Sequence, residues 1–175
     1  MKTYVSILLV VLGLAVVVIG GYVYTKKNDL KHQVVQDLVK MKTYSSKVSR
    51  FYEGDNNIEY SFNIPEYATT TTELDGAFTK ITTGTSSYAT VYVSYEGGRG
   101  FTPLGYIDEI IAPHVSVINP LDEEIIGNYK WQVAESEGSE WHIAQVSNDQ
   151  WLFIVENKKV NHDLIQKTLE SVKVK

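Results

Sequence analysis

Twenty consecutive residues, Val5 to Tyr24, carry no charge. As an α-helix rising about 1.5 Å per residue they extend roughly 30 Å, the thickness of a bilayer's hydrocarbon core. Lipid offers no partner to backbone N–H and C=O groups, so an uninterrupted helix is the form such a run predicts. Tyr22, Tyr24, Lys26 and Lys27 then supply the aromatic and cationic edge of a headgroup boundary. A cleaved signal peptide is the competing reading, but the run exceeds the usual apolar region of about 7–15 residues and no A-x-A-like exit follows it. The expectation is a membrane anchor over 1–27 that contacts lipid, in a single-pass plasma-membrane protein.

Charge is divided along the chain. Residues 1–50 hold eight cations and two acids, a net +6, while residues 51–175 hold eight cations and nineteen acids, a net −11. An acidic head argues against nucleic acid as a partner, because phosphate contacts need clustered Lys and Arg. The absence of cysteine excludes disulfides, thiolate chemistry and a lipid-modified cysteine. Lysines following the apolar run would, by the positive-inside rule, keep the remainder in the cytoplasm. The short lysine-led N-tail and a head rich in Thr, Tyr, Ser and Gly favour the extracytoplasmic side instead.

From Asp29 to Arg50 the apolar residues Leu30, Val34, Leu38, Met41 and Val48 recur at helical spacing. They predict a basic amphipathic juxtamembrane stalk helix over 28–53. After the turn-forming Gly54-Asp55-Asn56-Asn57 the pattern becomes alternating, opening a head domain over 54–175. Strands are expected at Ile58–Ile64, Ala77–Thr82 and Ser87–Glu96. Thr102-Pro103 starts a helix that carries Leu104, Ile107, Ile110 and Ile111 and stops near Pro113. Asn119-Pro120 reads as a turn. Three strands follow at Tyr129–Glu135, Trp141–Val146 and Gln150–Glu156, then a helix from Asn161 whose buried stripe is Ile165, Leu169 and Val172.

Pairing Val146 with Trp151 places Trp151, Phe153, Val155, Ala144, Trp131 and Val133 on one face of the last three strands. Trp141, Ile143, Leu152 and Ile154 then occupy the other. Both faces are apolar and both need covering. The chain offers three helices for this, so the predicted fold class is α+β: an antiparallel sheet with helices on both faces, an α/β/α sandwich.

The order of Tyr60–Pro65 (Y-S-F-N-I-P), Ser87–Val93 (S-Y-A-T-V-Y-V), the mid-domain helix, the Trp-bearing strands and Leu169–Lys173 (L-E-S-V-K) resembles the PsbP/DcrB/Mog1-like α/β sandwich group over about residues 58–174. That resemblance implies a non-catalytic accessory or binding role. It carries no site residues, since the group shares no catalytic motif. This chain departs from the group's lipoproteins in having an apolar N-terminal run in place of a lipid-modified cysteine.

Residues able to do chemistry are scattered. His32, His114, His142 and His162 form no close metal pair, so no metal site is expected. His142 reads as a core histidine beside Trp151 and Val155. Glu135, Glu137 and Glu140 surround a hairpin loop without calcium-loop spacing. Arg99, in Gly97-Gly98-Arg99-Gly100 ahead of the helix start, is the cation best placed for an anionic ligand, although no nucleotide-binding pattern is present. Tyr88 and Tyr92 share a strand face and form a possible ligand groove.

The sequence therefore predicts no enzyme and no cofactor. It predicts a membrane-anchored, non-catalytic accessory or binding domain, displayed at the cell surface and recruiting or stabilising a protein partner. A pilin-like assembly subunit is the alternative, followed by an acid-dependent hydrolase using the Glu135–Glu140 loop.

Overall fold

Alternation governs the head. In Ile58–Pro65 the side chains of Ile58, Tyr60, Phe62 and Ile64 are buried while Glu59 is exposed, the period of a strand with one face on a core. The computed structural model describes residues 39–48, 58–84, 86–95, 101–115, 118–147, 151–158 and 162–175, and Lys40–Lys175 forms one compact unit. Its strands are β1 Met41–Val48, β2 Ile58–Pro65, β3 Thr69–Glu73, β4 Phe78–Thr83, β5 Ser86–Tyr95, β6 Asn119–Ile126, β7 Tyr129–Ser136, β8 Ser139–Gln145, β9 Trp151–Lys158 and β10 Lys173–Val174. They form a small sheet, β1-β2-β10, and a seven-stranded sheet in the order β3-β4-β5-β9-β8-β7-β6. Neighbouring strands in both are antiparallel.

The α/β/α sandwich expected from the sequence is not what forms. Among the described residues the fold is mostly antiparallel β, and its helices are short. One face of the large sheet is covered by the small sheet together with helix α2, His162–Glu170. Tyr60 and Phe62 of β2 meet Phe153 of β9 edge-on, with ring centroids 5.4 and 6.0 Å away, and Trp131 of β7 adds a contact at 6.3 Å. Each such ring pair adds about 0.5–1.5 kcal/mol beyond the burial of its area. The other face is covered by a broken helical segment: α1, Pro103–Tyr106, continuing as a π-helical turn at Ile107–Ile111 and a 3₁₀ turn at Ala112–His114. Ile107 and Ile111 bury against Ala134, Ile143, Leu152 and Ile154. Thr102 caps the segment, its Oγ1 accepting the Gly105 N–H at 3.1 Å, and Pro103 stands at the first turn.

The stalk helix is corrected as well. In its described part the 28–53 stretch is strand β1, paired with β2 along its whole length from Met41↔Pro65 to Val48↔Ile58. Met41 and Val48, seven residues apart, share a face of a helix but fall on opposite faces of a strand. The intervening Thr43, Tyr44, Ser45 and Ser46 are weak helix formers. Tyr44 is held to the large sheet by its hydroxyl, 2.6 Å from Thr72 Oγ1 and 3.2 Å from Thr79 Oγ1. Leu30, Val34 and Leu38 lie outside the described residues.

Among the described residues no helix is long and apolar enough to cross a membrane. This goes against the expected single-pass plasma-membrane protein with an extracytoplasmic head. The run Val5–Tyr24, on which that expectation stood, lies outside the described residues.

Asn119-Pro120 opens strand β6 and is no turn. As an edge strand β6 tolerates Pro120, which cannot donate to a second neighbour. A bulge follows between Pro120 and Glu123, and there Gln132 Nε2 donates to the Leu121 carbonyl at 2.6 Å. The exposed acids of this strand also discourage edge-to-edge pairing.

Candidate functional site

Where the broken helical segment crosses the large sheet it leaves a cleft of about 210 Å³, lined by Tyr92, Tyr106, Ile111, His114, Val115, Trp141 and Ile154. The sheet register builds its floor. Tyr92 of β5 pairs with Ile154 of β9, and Ile154 pairs with Ile143 of β8. Trp141, two residues before Ile143, returns to the same face of the sheet. Tyr92 and Trp141 are nearly parallel, 17° apart with centroids at 6.3 Å, and Phe78 packs edge-on to Tyr92 at 5.2 Å.

Two polar features mark this cleft. The Tyr92 hydroxyl donates to Glu156 Oε2 at 3.2 Å, and the Ser139 hydroxyl donates to Glu156 Oε1 at 3.1 Å. Burial, followed by the neighbouring Glu156 carboxylate, pushes the Tyr92 phenol up to about 12, so it stays protonated as a donor. The second feature is the Trp141 indole Nε1, which is buried and has no hydrogen-bond partner. A buried donor left unmade costs about 1–3 kcal/mol.

The structure separates the tyrosines that the sequence puts on one strand face. Between Ile81↔Ala89 and Thr82↔Ser87 the β4–β5 ladder shifts register, leaving Tyr88 as the extra residue. A bulge of this kind re-aims its side chain. Tyr88 is 1% exposed, and its oxygen lies 3.5 Å from Thr168 Oγ1 of α2. It is a packing residue under α2, while Tyr92 lines the cleft. Burial drives the Tyr88 phenol up to about 12. Arg99 lies outside the described residues.

His142 is a core histidine, 2% exposed, packed edge-on to Trp131. Its Nε2 is 3.4 Å from Glu140 Oε1, and His162 Nδ1 approaches the same oxygen at 3.8 Å from the exposed start of α2. Burial, with His162 beside it, lowers His142 to about 4. The contact therefore joins a neutral imidazole to a carboxylate at neutral pH. Glu140 is turned toward this pair, while Glu137 sits at the hairpin tip with φ of +44°. Among the described residues no group of three or more His, Cys, Asp or Glu is arranged to hold a metal ion.

A larger depression of about 420 Å³ lies on the small sheet, with Ser45, Lys47, Glu59, Ser61, Lys173 and Lys175 in its lining. Its Lys47–Glu59 pair is 4.0 Å apart and half exposed. Water already solvates such charges, so they offer a ligand little. The aromatic cleft is the stronger site.

Sequence reading singled out Tyr92 but missed Tyr106, Trp141 and Glu156 as its companions. The alternation that puts Trp141 and Ile154 on one face was available. The lateral order β5-β9-β8, which brings Tyr92 beside them, has no local signal. No family model matches the chain, and no curated protein matches it in sequence.

Proposed function

We propose that the Lys40–Lys175 domain is a non-catalytic binding domain whose aromatic cleft seats one small, largely apolar group of a ligand or protein partner. The observation that carries this reading is a cleft lined by three aromatic side chains, Tyr92, Tyr106 and Trp141, beside the aliphatic Ile111, Val115 and Ile154. At about 210 Å³ it is smaller than the usual small-molecule pocket of about 300–1,000 Å³. It suits a single anchoring group of the kind that dominates binding at interfaces. The lining supplies rings, aliphatic side chains and one imidazole, His114.

The test is a screen of small apolar and aromatic fragments followed by NMR on the full-length protein, reading the three indole Nε1–H resonances. Binding in the cleft shifts the Trp141 resonance and leaves that of Trp131, which donates to the Ile126 carbonyl at 3.0 Å, in place. Fragments that leave Trp141 unmoved at saturation would remove this reading.

A further inference from the structure

The electrostatics of the cleft select among such groups. Among the described residues no lysine or arginine lines it, and His114 is the one ionisable nitrogen base in its lining. Tyr92, Tyr106 and Trp141 bring three ring systems, whose π-faces attract cations. A phenol whose O–H donates a hydrogen bond to a carboxylate becomes more electron-rich, and Tyr92 does this with Glu156. Glu156 is held by a second donor, Ser139, so a fixed carboxylate stands one hydrogen bond behind the ring wall. A primary ammonium is strongly hydrated and would give up much on entering so apolar a space. Methylation spreads the charge, weakens hydration and adds apolar surface to meet Ile111, Val115 and Ile154.

We infer that the cleft binds a quaternary, methylated ammonium group, held among Tyr92, Tyr106 and Trp141 with Glu156 supplying the countercharge. This rests on the cleft being a binding site at all. The acidic balance of residues 51–175, a net −11, favours the approach of such a cation.

The full-length protein is titrated with choline and, in parallel, with 3,3-dimethylbutan-1-ol, its uncharged carbon isostere. The Trp141 indole resonance and calorimetry provide the readouts. The expected result is saturable binding of choline, about tenfold tighter than the isostere. Glu156→Gln should weaken choline several-fold and leave the isostere unchanged. Trp141→Leu should abolish both responses in a protein whose far-UV spectrum is retained. A peptide carrying trimethyl-lysine, compared with its unmodified form, locates the source: tighter binding than choline assigns a polypeptide-borne group, and weaker binding a free small molecule. Equal or tighter binding of the isostere overturns the cation inference while leaving the cleft a binding site. Silence toward choline with a continued response to apolar fragments does the same, whereas silence toward both removes the underlying reading.

Discussion

The Tyr92 hydroxyl donates to Glu156 Oε2 over 3.2 Å, tying β5 to β9 at the rim of the aromatic cleft. Its consequence is alkaline sensitivity. The Tyr92 phenol moves from an ordinary 10 to about 12 through burial and the adjacent carboxylate, and burial moves Tyr88 to about 12 as well. The folded state therefore holds these protons after the unfolded chain has released them. Stability is whole below pH 10 and declines as pH rises from 10 toward 12. Urea denaturation across that range should show the decline, and Tyr92→Phe should flatten it by about one proton's worth of slope.

At the acid end His142 acts in the opposite sense. Its imidazole falls from 6.5 to about 4 on folding, with Glu140 and His162 facing it. The unfolded chain takes up the proton first, so stability is complete above pH 6.5 and is lost as pH falls toward 4. The linked loss is on the order of 3 kcal/mol. His142→Leu removes this titration, and its stability should vary less between pH 6.5 and 4 than that of the parent in matched denaturation series.

Phe153 joins the two sheets. It is fully buried and touches Tyr60, Phe62 and Trp131. Phe153→Ala removes those ring contacts and opens a cavity that strands on both sides cannot close. The expected cost is about 3–5 kcal/mol by chemical denaturation. A loss below 1 kcal/mol would contradict the packing of the small sheet on this face.

Two glycines with the same backbone demand should respond differently to alanine. Gly127 and Gly138 have φ of +61° and +80°. A Cβ at Gly127 would lie 2.7 Å from the Glu170 carbonyl oxygen at the end of α2, whereas one at Gly138 meets nothing within 4 Å. Gly138→Ala should cost about 1 kcal/mol of left-handed strain. Gly127→Ala adds a backbone collision to that strain and should cost measurably more in the same assay. Equal costs would argue against the close approach of the β6–β7 turn to α2.

Local pattern made much of this fold legible. The short connection after Val146 implies the β8–β9 register, and in the structure Gln145 pairs with Leu152 while the Val146 N–H donates to the Trp151 carbonyl at 2.9 Å. The Thr102-Pro103 start and the apolar spacing of Ile107 and Ile111 located the segment that covers one face. Where local pattern misled, two periods competed. Met41–Val48 carries a helical apolar spacing, but its Thr, Tyr and Ser side chains and a waiting partner in β2 made it a strand.

The sequence by itself marked the segments that carry the core, because the alternation of Ile58–Ile64 and the unbroken apolar run Trp151–Val155 are read without knowledge of neighbours. It also determined the acidic balance of the head and the capped start of the helical segment. Only the tertiary structure decided that a second sheet would pack against Phe153, that a bulge would turn Tyr88 under α2, and that Tyr92 would stand beside Trp141. Those outcomes depend on the lateral order of strands and on one extra residue in a ladder. Both are set by contacts between segments distant in the chain, whose energies appear only when the sheet is assembled.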